Sequence, residues 1–154
     1  MILYFLLTIL IVIIDQILKL LTVSNLKGNE DISLLNWLIK FTYVENRGAA
    51  FGIMQGAKYL FILLVILLLI FYLYVMIKRK FDSKMLIWGL SLIVGGGIGN
   101  AIDRLFLGYV VDYIKLSFFS PVCNFADYCI TAGTVLVLIY ICFGKVKSQG
   151  KILK

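Results

Sequence analysis

Four long apolar runs alternate with polar stretches along the chain, and the pattern predicts four membrane-spanning helices. The first run, Ile2 to Leu21, is about 20 residues and roughly 30 Å of helix, one bilayer core. Tyr59 to Ile77 holds 19 uncharged residues and is the clearest span; Lys78-Arg79-Lys80 stops it. Met85 to Ile102 is the third, and Phe125 to Phe143 the fourth. The spans are therefore expected at about 2–21, 59–77, 85–102 and 125–143, with connecting loops at 22–58 and 103–124, in one domain over residues 1–154. The first run lacks a basic leader region and a small-residue cleavage site, so it reads as a retained helix.

Within the loop at 22–58, Trp37 to Val44 alternates in the manner of a strand. One parity places Trp37, Ile39, Phe41 and Tyr43 on a single face. An aromatic-rich strand next to a span suits the membrane interface. Asn46-Arg47-Gly48-Ala49-Ala50-Phe51 follows, and its small residues permit close backbone approach. Gly95 and Gly99 at the end of the third span form a small-residue pair suited to helix packing.

Composition agrees with the spans: 62% of residues are hydrophobic, 15% are charged, and the mean hydropathy is +1.04. The net charge of +7 does not point to nucleic acid, because the basic residues gather at the ends of apolar runs. The loop after the second span carries Lys78, Arg79, Lys80 and Lys84, and the tail carries Lys145, Lys147, Lys151 and Lys154. The positive-inside rule makes both cytoplasmic, so both termini are expected inside and both polar loops outside. The chain has no histidine, which removes His-based triads and His-ligated zinc. Its three cysteines, Cys123, Cys129 and Cys142, form no CxxC motif. No metal site and no cofactor are expected.

Polar groups beside a membrane core are expensive and tend to mark function. The stretch from Gly95 to Ile130 holds three of the eight acidic residues, Asp103, Asp112 and Asp127, together with Asn100, Arg104 and Asn124. Asp15 and Lys19 stand at i, i+4 in the first span, where they can touch. On the orientation above, all these residues and Asn46 gather at the outer depth. Two close carboxylates resist joint ionisation and share a proton, so such a pair can activate water and polarise a peptide carbonyl. Asn124 is placed to cap the fourth helix, with Asp127 in its first turn, where the helix dipole favours a carboxylate. Asp103 beside Arg104 also reads as a charge-paired helix end. Spacing alone does not choose the pair among Asp15, Asp103, Asp112 and Asp127. A proton-coupled transporter and a scaffold subunit are the rival classes. Against a transporter, no polar trail crosses the second span or the inner part of the fourth.

The motifs settle on one family by resemblance. Asp15-Gln16-Ile17-Leu18-Lys19, Asn46-Arg47-Gly48-Ala49-Ala50-Phe51, Gly99-Asn100-Ala101-Ile102-Asp103-Arg104, Gly108-Tyr109-Val110-Val111-Asp112-Tyr113 and Asn124-Phe125-Ala126-Asp127 together resemble the lipoprotein signal peptidases, signal peptidase II. The family commonly has Phe where this chain has Tyr113. The resemblance implies an α-helical integral membrane protein with four transmembrane helices, both termini inside, and a small outer β-cradle. It implies an aspartic endopeptidase of the bacterial cytoplasmic membrane. Such an enzyme cuts diacylglyceryl-modified prolipoproteins just before the lipidated cysteine, and globomycin-type peptides block it. Carried over by motif, Asp112 and Asp127 are the catalytic dyad. Asp15, Lys19, Asn46, Gly48, Asn100, Asp103, Arg104, Asn124 and Ala126 are the supporting positions. The partners implied are prolipoprotein substrates and membrane lipid, with no nucleic acid, and a monomer suffices for lateral entry of substrate.

Overall fold

The computed structural model describes residues 1–34, 38–48, 56–78 and 83–143. Its elements run α1 (Ile2–Leu26), β1 (Ile32–Leu34), β2 (Ile39–Asn46), α2 (Lys58–Lys78), α3 (Lys84–Phe106), β3 (Val110–Leu116), β4 (Val122–Cys123) and α4 (Phe125–Phe143). All four helices are long and apolar enough to cross a membrane. Their outward positions are large and apolar, such as Leu6, Leu10 and Ile17 on α1 or Leu63, Leu67 and Ile70 on α2, as contact with lipid tails requires.

Two helices outrun their apolar runs. α1 continues to Leu26 because Thr22, Ser24 and Asn25 turn their polar groups back onto the carbonyls of Leu18 and Leu21. Hydropathy marks bilayer thickness, whereas helix length follows backbone hydrogen bonding. α3 likewise continues to Phe106, which places Asp103 and Arg104 inside the helix. Its end is closed by Gly108, whose φ of 82° suits glycine, with the Leu107 and Gly108 N–H groups both donating to the Asp103 carbonyl.

α3 is the central helix and packs on α1, α2 and α4. Glycines allow the approach. Gly95 lies against Ile11, and a side chain at Gly99 would run into the Asp15 carboxylate, so this pair packs on α1. Gly96 faces the other way, where a Cβ would strike the Ala126 carbonyl of α4.

The four strands form one antiparallel sheet in the order β1-β2-β3-β4. The β2–β3 register contains a bulge. Phe41 pairs with Ile114 and Val44 with Asp112, so β2 spends three residue steps where β3 spends two. Beyond the bulge, the facing of β2 is inverted relative to plain alternation. Ile39 and Phe41 share a face with Ile114 and Asp112, whereas Tyr43 turns to the opposite face and meets Tyr109, hydroxyl to hydroxyl at 3.2 Å. The single aromatic face expected from alternation is therefore divided, and Trp37 lies outside the described residues. The bulge also moves Asn46 onto the face of Asp112.

Candidate active site

The sheet lies over one end of the bundle, where β3 meets the end of α3 and the start of α4. β3 carries Asp112, which is 2% exposed. α4 carries Asp127 in its first turn. Each carboxylate accepts two N–H donors. Asp112 takes the Asn46 side-chain amide at 2.8 Å and the Asn124 amide at 2.6 Å. Asp127 takes the Asn100 amide at 2.8 Å and the Asn124 backbone N–H at 3.2 Å. Asn124 thus donates to both, and its own Oδ1 accepts the Asp127 N–H at 2.9 Å, which makes it the helix cap the sequence suggested.

Each asparagine is held in one orientation by its other end. Asn46 Oδ1 accepts the Gly48 N–H, which leaves its Nδ2 for Asp112. Asn100 Oδ1 accepts from Lys19 at 2.9 Å and from Asn124 at 3.1 Å, which leaves its Nδ2 for Asp127. An amide flipped at either position would set donor against donor.

Behind the pair lies a buried charge network. Lys19 Nζ reaches Asp15 at 2.8 Å, Asp103 at 3.0 Å and Asn100, so its three protons are all used. The Asp15–Lys19 pair faces the bundle interior and is almost fully buried. Asp103 pairs with Lys19 and accepts the Val111 N–H at 3.0 Å; it does not pair with its neighbour Arg104, as adjacency suggested. Arg104 instead donates to the carbonyls of Gly48 and Asn100 and lies 4.5 Å from the Phe61 ring centre. Asp15 accepts the N–H of Ala126, whose 0% exposure marks the tight α1–α4 junction.

Both cations are therefore committed elsewhere, and among the described residues neither Asp112 nor Asp127 is ion-paired. Burial pushes the Asp112 carboxyl up to about 7; the nearby Asp127 charge adds to this, and the Asn46 and Asn124 amides and Lys19 oppose it. An arrangement of this kind can hold one shared proton near neutrality. Among the described residues, no group of three or more His, Cys, Asp and Glu side chains is spaced to hold a metal ion.

The structure brings together every residue singled out from the sequence: Asp15, Lys19, Asn46, Gly48, Asn100, Asp103, Arg104, Asp112, Asn124, Ala126 and Asp127. Ala49, Ala50 and Phe51 of the first loop motif lie outside the described residues. Gln16 and Tyr113, to which the sequence motifs assign no role, also contribute. Gln16 donates to Asp15, to Asp103 and to the Gly99 carbonyl, and its place inside an apolar run was the available signal. Tyr113 accepts the N–H of Phe125 through its hydroxyl at 3.2 Å, which nothing in the sequence announces.

Comparison with known proteins identifies the family. The family model for signal peptidase (SPase) II matches residues 7–143. The lipoprotein signal peptidase of Halothermothrix orenii is 38% identical over 137 residues, covering 89% of this chain and 93% of that protein. That of Clostridioides difficile strain 630 is 40% identical over 148 residues, covering 96% and 99%. A bacterial membrane enzyme solved by the in meso method at 2.3 Å resolution superposes with a TM-score of 0.85 at 30% identity, covering 98% of this chain and 94% of that one. With four spans, a small antiparallel sheet and these relatives along nearly its whole length, the chain belongs to the signal peptidase II family and is a membrane protease.

Proposed function

We propose that this protein removes the signal peptide of diacylglyceryl-modified prolipoproteins, cutting before the lipidated cysteine, with Asp112 and Asp127 as its catalytic pair. The observation that carries the reading is Asn124, one residue donating to both carboxylates while Lys19 and Arg104 are engaged elsewhere. Asp112, raised to about 7, suits the protonated role: it donates to the scissile carbonyl oxygen as water adds. Asp127 takes the proton from that water. In collapse of the tetrahedral intermediate Asp127 gives its proton to the leaving amine as the C–N bond breaks. Asp112 takes a proton back from a gem-diol hydroxyl as the new carbonyl forms, and the pair returns to its starting state. Asn46, Asn100 and Asn124 keep both carboxylates aimed at one point, which is the entropic part of the work.

The charge bias of the loops supports an outer position for the site in the bacterial cytoplasmic membrane, with both termini inside. The signal helix then enters sideways from the bilayer and its lipidated end reaches the sheet. Globomycin-type peptides act by occupying the pair, and a monomer carries the whole site.

The test is cleavage of a diacylglyceryl-modified prolipoprotein by purified protein, with a chelator present. Asp112→Asn and Asp127→Asn are each expected to lower the rate by at least about a thousandfold. Retained cleavage in either folded variant overturns the pair. Intact substrate with the wild-type protein removes the reading altogether.

A further inference from the structure

We infer that Tyr113 is a positioning residue for this reaction, its hydroxyl holding the first turn of α4 so that Asp127 stays in place opposite Asp112. The inference rests on the reading of Asp112 and Asp127 as the catalytic pair.

The first N–H groups of a helix have no partner within it. In α4 three of them are taken by three separate side chains. Phe125 N–H goes to the Tyr113 hydroxyl at 3.2 Å, Ala126 N–H to Asp15 at 3.1 Å, and Asp127 N–H to Asn124 at 2.9 Å. The third is the helix's own cap. The first two come from other elements, β3 and α1, and so fix where the helix begins in space.

Tyr113 directly follows Asp112. The strand that carries one carboxylate therefore grips the turn that carries the other. Among the described residues, little else ties these two elements together. The β3–β4 ladder has only the pairs Ile114–Cys123 and Lys115–Val122, and it stops just before the helix. The remaining link is Asn124, which touches both carboxylates and so moves with them. Tyr113 is 4% exposed, which keeps water from replacing its hydroxyl. Burial also pushes the phenol above its ordinary range, so it stays neutral while the pair titrates.

Tyr113→Phe keeps the ring and leaves the Phe125 N–H without an acceptor in a water-poor place. That N–H can be satisfied again only if the turn shifts, and Asp127 shifts with it. Small misplacements of reacting groups cost rate more than binding.

The experiment compares wild type, Tyr113→Phe, Asp112→Asn and Asp127→Asn as full-length purified proteins on one prolipoprotein substrate. For Tyr113→Phe, kcat is expected to fall roughly tenfold with KM within about twofold. The pH limb set by Asp112 moves lower, because a displaced Asp127 and easier water entry both relax it. Among the described residues, Asp127, Lys19 and Arg104 are the charged groups facing Asp112, with Cys123 and Tyr113 the neutral titratable ones. Amide exchange at Phe125 speeds up. An unchanged kcat overturns the inference, and so does a lower kcat with the wild-type pH profile and Phe125 exchange, which describes general loosening. The aspartate variants separate the two readings. If either still cleaves, the catalytic pair itself fails. If both are inactive and Tyr113→Phe behaves as wild type, only the positioning role fails.

Discussion

In the half of the bundle away from the sheet, Thr8, Tyr72 and Ser91 join α1, α2 and α3 through hydroxyls, at 3.3 Å and 3.1 Å. In the half beneath the sheet, Asp15, Lys19, Asn100 and Asp103 join α1 and α3 through charges and an amide. Both clusters are buried in an apolar surround, yet their members have different reserves. Thr8 also donates to the Tyr4 carbonyl, and Ser91 to that of Ile87, each one turn back on its own helix. A hydroxyl that loses its cross-helix partner stays satisfied. Asp15 and Asp103 keep N–H donors in Ala126, Val111 and Gln16, but among the described residues Lys19 is their one ion-pair partner, so losing it leaves two buried charges uncompensated. The neutral cluster therefore fastens helices cheaply, while the charged one fixes one arrangement at higher risk. The fixed arrangement is the one beside the site.

Lys19→Met is the strongest way to break this contrast. It leaves Asp15 and Asp103 buried without their cation, at a cost on the order of 3–5 kcal/mol. Thermal unfolding in detergent should show a large loss, and cleavage should disappear with the orientation of Asn100. A variant that melts like wild type would mean the charges matter no more than the hydroxyls.

A smaller effect sharpens the contrast through pH. Asp112 is raised to about 7, so it carries its proton below that pH and loses it above. If it is the proton donor, kcat falls above about pH 7, approaching tenfold per unit. A rate profile flat from about pH 6 to about pH 9 would exclude Asp112 from that role.

The smallest effect belongs to the other half. Tyr72→Phe removes the hydroxyl between Thr8 and Ser91, and both keep their own carbonyls. The expected loss is below about 1 kcal/mol, with cleavage unchanged. A collapse of stability in this variant would show that the hydroxyls carry α2.

These two clusters also mark how far the sequence could be read. The charged one was legible, because aspartates, a lysine and asparagines in or beside apolar runs stand out and their depths coincide. The hydroxyl cluster was not, since Thr8, Tyr72 and Ser91 are unexceptional in a membrane span. The spans were visible as apolar runs, but the ends of α1 and α3 were not, because Thr22, Ser24 and Asn25 continue a helix that hydropathy has stopped tracking. β1 and β4, of three and two residues, are too short to leave a periodic signal. Tyr113 stands where the family commonly has Phe, and only the fold brings its hydroxyl to the Phe125 N–H. The division of the aromatic face at Tyr43 was hidden because alternation assumes an unbroken register.

That break gives β2 a reading frame. Between Phe41 and Val44 the strand has one residue more than its partner needs. Removing Thr42 would restore plain alternation and leave Asn46 beside Asp112. Removing Glu45 would carry Asn46 to the far side of the sheet and bring Arg47 to the vacated place, a cation where the pair now meets an amide. Among length changes in this strand, the bulge is the position where one can be absorbed without rewriting the site.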